Sequence, residues 1–225
     1  MCRAVTTVEI DLTLDPTDDP VAFGEGPLRA AVDAAGPEAV WWVHGTTARH
    51  EEAAAHAGLV GSRRLLQMRC PLPLPVSTDL VTRPFRPGED DEAWLAVNNR
   101  AFSWHPEQGG WDASVLAGRV AEPWFDPEGF LLHEADGRLA GFCWTKVHPG
   151  EPPLGEIYVI AVDPDFVGRG LGRDLTLAGL QHLAAQGLEV GMLYVESDNT
   201  PAVGLYESLG FQTHQTSTAF TPTPP

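Results

Sequence analysis

Residues 154–178 read LGEIYVIAVDPDFVGRGLGRDLTLA, and the fold follows from how this stretch changes character along its length. Its first part, from Glu156 to Val162, is a nearly unbroken, β-branched apolar run of strand length, as expected of a strand covered on both faces. Asp163-Pro164 ends it, because proline has no N–H to give to a ladder. A glycine-spaced segment, Gly168 to Gly172, then leads into Leu171, Leu175, Ala178, Leu180, Leu183 and Ala184, whose three- and four-residue spacing predicts a helix. The unit is strand, glycine loop, helix.

Glycines at such a junction let the backbone turn without a Cβ and present N–H groups at a helix N-terminus, where the dipole favours an anion. A phosphate-bearing ligand is expected there. Two familiar phosphate loops fit badly: the dinucleotide fingerprint wants a third glycine where Arg173 stands, and the P-loop wants a Lys-Ser/Thr pair that is missing. Val167-Gly168-Arg169-Gly170-Leu171-Gly172 instead resembles the acyl-CoA loop of the GNAT acetyltransferase superfamily, with valine where the family motif has glutamine or arginine. The resemblance implies that Val167, Gly168, Arg169, Gly170, Leu171, Gly172 and Arg173 cradle the phosphates of acetyl-CoA, that Asn199 and Ala202 also line the cofactor, and that no metal takes part.

Composition bounds the rest. The 225 residues, 43% of them hydrophobic, suffice for one large core or two small ones. A formal charge of −17 repels nucleic acid and anionic membranes at long range. Cys2, Cys70 and Cys143 are scattered and odd in number, which argues against a disulfide framework or a zinc site. No apolar run approaches the ~20 residues that span a bilayer, and the N-terminus has no basic segment followed by an apolar core. The expectation is a cytoplasmic protein, a monomer or weak dimer, acting on a small molecule.

Residues 1–75 read as a faint, partial copy of the later unit. Residues 9–16 align with 156–164 with one residue dropped, Gly24 and Gly26 with Gly168 and Gly170, and 41–45 with 193–197. Here Glu25 stands for Arg169, Leu28 for Gly172 and Ala54 for Tyr206. An acid beside the cradle and a Cβ in place of a glycine both oppose phosphate binding, so this half-unit is expected to be structural. Pro71-Leu72-Pro73-Leu74-Pro75 is a stiff linker, and a domain boundary is placed there.

Residues 76–225 form the second unit. A strand candidate at 80–86, helices at 92–102 and 112–122, and a hairpin around Asp136-Gly137 precede the central strand; after the loop helix come a strand at 192–195, a helix opening at Asn199 and a last strand at 211–220. The order β-α-α-β-β-β-α-β-α-β is that of the GNAT fold, an α/β architecture with a mixed sheet.

Acetyl transfer to an amine needs a base, a polarised thioester carbonyl and a proton for the leaving thiolate. Glu156, an acid at the start of an apolar strand, is the base candidate; similar enzymes use a glutamate in this strand. Backbone N–H groups of Ile160, Ala161 and Val162 are candidates for holding the thioester oxygen. Tyr206, in Leu205-Tyr206-Glu207-Ser208-Leu209-Gly210-Phe211, resembles the family ending in which a tyrosine protonates the CoA sulfur.

Within the superfamily, the phrases His105-Pro106-Glu107-Gln108-Gly109-Gly110-Trp111, Trp144-Thr145-Lys146-Val147-His148-Pro149, Gly155-Glu156-Ile157-Tyr158-Val159 and Leu193-Tyr194-Val195-Glu196-Ser197-Asp198-Asn199 look like the C-terminal domain of the mycothiol synthase family. That family has two complete GNAT units and acetylates the cysteinyl amine of a cysteinyl-glucosaminyl-inositol. The resemblance implies substrate contacts from Glu107, Lys146, Glu156 and Tyr194. Two other functions fit the sequence: a GNAT enzyme for another small amine, such as an amino sugar or polyamine, and a non-catalytic acyl-CoA-binding regulator. Retention of both Glu156 and Tyr206 argues against the regulator.

Overall fold

A computed structural model describes residues 7–105 and 108–223. In chain order the elements are β1 (Val8–Glu9), α1 (Pro20–Phe23), a π-helical turn (Gly24–Leu28), α2 (Arg29–Ala35), β2 (Ala39–Val43), α3 (Ala48–His56) and β3 (Leu59–Pro71). There follow β4 (Arg83–Pro84), α4 (Asp91–Ala101), α5 (Ala113–Val120), β5 (Phe130–Ala135), β6 (Arg138–His148) and β7 (Leu154–Val162). Last come α6 (Leu171–Ala185), β8 (Val190–Glu196), α7 (Thr200–Ser208) and β9 (Gln212–Pro222). From β4 onward this is the order expected of the GNAT fold.

The chain forms two compact units. One comprises Met1–Met68, Tyr194–Glu207 and Gln212–Pro225; the other comprises Arg69–Leu193 and Ser208–Phe211. This division falls inside β3 rather than in the proline linker. The reason is long-range pairing: β9 lies antiparallel to β2, with Trp41 opposite Phe220 and Val43 opposite Thr218, so the C-terminal strand belongs to the first unit. The linker belongs to the second, where the Leu72 N–H bonds to the Glu189 carbonyl and Thr78 reaches Gln181 and Asp174 on α6.

In the first unit β1 runs parallel to β2, and the core gathers Leu28, Trp41, Ala53, Ala54, Leu59 and Phe220, all at most 3% exposed. Gly24 and Gly26 do not form the turn that their alignment with Gly168 and Gly170 suggested. Gly24 is right-handed helical, and a Cβ there would stand 2.4 Å from the Ala53 carbonyl oxygen and 2.7 Å from the Cβ of His56. The glycine lets α3 pack close. Pro27 has no N–H for the helical ladder, and the widened turn, closed by the Arg29 N–H on the Gly24 carbonyl, accommodates it. Glu25 pairs with His56 at 3.1 Å.

In the second unit an aromatic core packs Trp94, Phe130, Phe142 and Trp144, all fully buried, with Phe130 and Trp144 stacked at 4.3 Å. The hairpin between β5 and β6 turns at Asp136 and Gly137, whose φ values of 53° and 73° suit the tight turn that Asp-Gly predicts. Helix α6 lies against β6 and β7. Its Gly179 is required by closeness, since a Cβ would stand 2.5 Å from the Cys143 Sγ. Strand β7 pairs antiparallel with β6 and, from Gly155 to Ile157, parallel with residues Gly191 to Leu193 of β8.

Candidate active site

The loop between β7 and α6 is anchored before it turns. Asp163, 2% exposed, gives its N–H to the Ala140 carbonyl, receives the Asp165 N–H on its carboxylate and pairs with Arg100 at 3.1 Å. Phe166 is buried, with the guanidinium groups of Arg138 and Arg169 each 4.7 Å from its ring centre. Arg169 is also held by Asp136 at 3.3 Å. Beyond this anchor Gly168 and Gly170 adopt φ of 87° and 83°, a region that a Cβ disfavours. A Cβ at either glycine would meet open space. These residues are glycine for backbone conformation and for what can approach them, not for packing.

Gly170 is the N-cap of α6 and has no side chain to offer its first turn. Its carbonyl takes the N–H groups of Arg173 and Asp174, while helix geometry leaves those of Leu171 and Gly172 directed outward. Val167 is 68% exposed, and Arg173 reaches the Ser208 hydroxyl at 3.3 Å.

Strand β7 carries an irregularity at the site. Trp144 lies opposite Val159 and Thr145 opposite Ile157, so Tyr158 is an extra residue on β7, a bulge. The Asp163 N–H bonds back to Ala140, and hydrogen-bonded pairs alternate along an antiparallel ladder. Ala161 and Val159 therefore turn their N–H groups toward β6, whereas those of Ile160 and Val162 point to the other side. Of the three backbone donors expected here, Ile160 and Val162 are suitably aimed and Ala161 is not.

Below the bulge lies a group of polar and aromatic side chains. Glu156 is 6% exposed, and its Oε2 is 2.6 Å from Nε2 of His148. Lys146 stands opposite Glu156 in the β6–β7 register, with its ammonium 4.5 Å from the Trp124 ring centre and 5.4 Å from that of Tyr158. Burial pushes the Tyr158 phenol above its ordinary pKa; Arg119 opposes this, and the carboxylates of Glu156 and Glu122 add to the rise. Tyr158 therefore stays a neutral donor at physiological pH. The arrangement offers a buried carboxylate, a tethered cation and an aromatic wall, a combination suited to a polar amine.

Sequence reasoning missed His148, Tyr158 and Trp124. The signal for His148 was available, since alternate residues share a strand face and His148 lies two after Lys146.

Glu107 lies outside the described residues. The chain that follows it is fastened to α4: Asn98 exchanges hydrogen bonds with Gln108, and Asn99 with the Trp111 backbone. The other expected site residues stand in the first unit. The Tyr194 hydroxyl accepts the Gln67 amide at 2.7 Å. Asn199 caps α7 by accepting the Ala202 N–H on its side chain and the Val203 N–H on its carbonyl. Tyr206 is on α7 and 7% exposed. Among the described residues no three His, Cys, Asp or Glu side chains gather as a metal site would need, and no helix is long and apolar enough to cross a membrane.

Comparison with known proteins agrees with this geometry. Residues 92–211 match the acetyltransferase (GNAT) family. The mycothiol acetyltransferase of Thermomonospora curvata is 53% identical over 209 residues, covering 90% of this chain and 69% of its own length. Among solved structures, a GCN5-related N-acetyltransferase from Sphaerobacter thermophilus superposes with a TM-score of 0.66 at 19% identity, over 83% of this chain and 60% of that one. A tandem GNAT protein from the clavulanic acid biosynthesis pathway gives 0.61, also at 19% identity, over 97% of this chain and 76% of that one. The open glycine loop, the bulged strand with its buried glutamate and these likenesses lead to one assignment: the chain belongs to the GNAT acetyltransferase family, among the mycothiol acetyltransferases.

Proposed function

We infer that this protein moves an acetyl group from acetyl-CoA to the cysteinyl α-amine of a cysteinyl-glucosaminyl-inositol, in the cytoplasm and by direct transfer in a ternary complex. The observation that carries the reading is Glu156, buried on the bulged strand beside Lys146, in a chain 53% identical to a mycothiol acetyltransferase. Acetyl-CoA is assigned to the second unit, its phosphates against the backbone of Val167 to Arg173 with the guanidinium groups of Arg169 and Arg173 nearby. In the first unit Gly24 is built into a helix and Glu25 pairs with His56, which speaks against a second cradle.

An α-amine with a pKa near ~8 is mostly protonated at neutral pH, so it must first lose a proton to Glu156, directly or through water. The free amine attacks the thioester carbonyl, and the N–H groups of Ile160 and Val162 stabilise the charge that develops on its oxygen. As the C–N bond forms and the C–S bond breaks, Tyr206 gives its proton to the CoA sulfur, and the proton that the nitrogen sheds in becoming an amide returns through water to the phenolate. Lys146, and by resemblance Glu107 and Tyr194, contact the hydroxyl-rich remainder of the acceptor, whose binding energy is used in the transition state.

The test is kinetic. Acetyl-CoA consumption is followed with the conjugate, with free cysteine, and with an amino sugar and a polyamine. The conjugate is expected to have by far the highest kcat/KM; a value equal to that of free cysteine would overturn the assignment of the acceptor. Acetyl-CoA binding with no transfer to any of these amines would favour the regulator.

A further inference from the structure

The hydrogen bond between His148 and Glu156 asks for a reason of its own. His148 is the last residue of β6, and Pro149 after it restricts its backbone to extended conformations, so the imidazole is presented from a stiff strand end. Its side chain is 34% exposed while that of Glu156 is 8% exposed, and their 2.6 Å contact joins the buried carboxylate to a half-buried ring. In the register His148 lies opposite Leu154 and Lys146 opposite Glu156, so the imidazole reaches Glu156 diagonally across the strand pair.

The simplest ion pair, Lys146 with its direct neighbour Glu156, is not the one formed. Lys146 turns its ammonium over the ring of Trp124 instead. The carboxylate is thus left to the imidazole, in surroundings that also hold Tyr158 on β7 and the charges of Arg119 and Glu122 beside it.

We propose that His148 is a positioning residue for Glu156: its Nε2–H donates to Oε2 and fixes the carboxylate plane, so that Oε1 is the oxygen presented to the acceptor amine. A lone pair on Oε1 takes the amine proton, and the imidazole keeps its own proton throughout. This rests on the acetyltransferase reading above. It also accounts for the cation of Lys146 being directed to the aromatic wall, since an ammonium on the carboxylate would compete with the amine for the same oxygens.

Two measurements test it. In nitrogen-15 NMR of histidine-labelled protein, His148 is expected to be protonated at Nε2, with a downfield proton signal that disappears in Glu156→Ala. In steady-state kinetics, His148→Ala is expected to lower kcat by roughly tenfold or more, a fraction of the ~10²–10⁴ that a general base contributes, with KM for acetyl-CoA unchanged. His148→Gln keeps an N–H donor near the position of Nε2 and is expected to restore most of the rate. Absence of the Nε2 proton signal in the wild type overturns the proposal whatever the activity. So does wild-type kcat in both variants, or an equal loss in both. A wild-type protein that shows the signal yet acetylates no amine removes the acetyltransferase reading, and with it the role of His148, while leaving the hydrogen bond in place.

Discussion

Replacing Gly170 separates two quantities that the loop combines, its strain and its open space. The residue sits at φ 83°, where an L side chain costs ~1–2 kcal/mol. Nothing within 4 Å opposes a Cβ there, so no packing penalty is added. In Gly170→Ala the strain falls on the unliganded protein, and unfolding in urea is expected to show a loss of ~1–2 kcal/mol, or about 2–8 °C in Tm. In Gly170→Asn most of this loss is recovered, because asparagine tolerates the left-handed region and caps helices well. Affinity behaves differently, since both substitutions put a side chain into the space beside the first-turn N–H groups. Losing one charge-assisted hydrogen bond to a phosphate costs ~1.5–3 kcal/mol, which predicts an acetyl-CoA Kd about 10- to 150-fold higher for both variants by titration calorimetry. An Asn variant as stable as wild type that also binds acetyl-CoA as tightly would refute the cradle. An Ala variant with unchanged stability would refute the strain argument.

Glu156→Gln is expected to lower kcat by ~10²–10⁴-fold and Tyr206→Phe by ~10–100-fold, each with acetyl-CoA affinity unchanged; wild-type turnover in both would remove the acid–base assignment. Calorimetry with acetyl-CoA should give about one site per chain, and a site surviving Gly170→Glu would show that the first unit binds as well. Asp90 gives a pH-dependent stability prediction. The hydrogen bonds from Arg83 hold its carboxyl below the usual range against the opposing effect of burial, with further help from the Arg86 N–H and the neighbouring positive charges. A depressed carboxylate stabilises the fold above its unfolded pKa of ~3.9 and loses that contribution as pH falls through the folded value. The stability gap between wild type and Asp90→Asn should therefore be constant from neutral pH to about pH 5 and close below about pH 4; a gap that persists in acid would mean another cause.

What the sequence made legible was where local chemistry alone decides the structure. The β-branched run ending at Asp163-Pro164, the glycines before α6 and the Asp136-Gly137 turn each formed as read, because each depends on its own residues. Gly24 and Gly26 were misread for the complementary reason. A glycine signal does not distinguish a turn from a close approach, and at Gly24 the deciding atom is the Ala53 carbonyl oxygen, far along the chain. The boundary drawn at the proline linker met the same difficulty, because the strand that completes the first unit, β9, pairs with β2 across most of the sequence.

The site follows the same rule. Glu156 was legible as an acid heading an apolar strand, but its partner depends on register, and no composition signal announces that Lys146 faces Glu156 while His148 binds it. The bulge at Tyr158 is the feature that joins these parts. Before it, β7 is paired on both sides, from Gly155 to Ile157 with β8 and along its other edge with β6, which holds Glu156 rigidly. At the bulge the extra residue puts Tyr158 beside Lys146, Trp124 and Trp144, closing the aromatic wall. After it, the ladder phase sends the Ile160 and Val162 N–H groups away from β6. Deleting Tyr158 would close the bulge with Val159 still opposite Trp144, so the Ile160 and Val162 N–H groups keep their direction while the aromatic wall beside Lys146 loses a member. The deletion should therefore raise KM for the acceptor amine with acetyl-CoA affinity unchanged, and an unchanged acceptor KM would show that the wall takes no part in holding it.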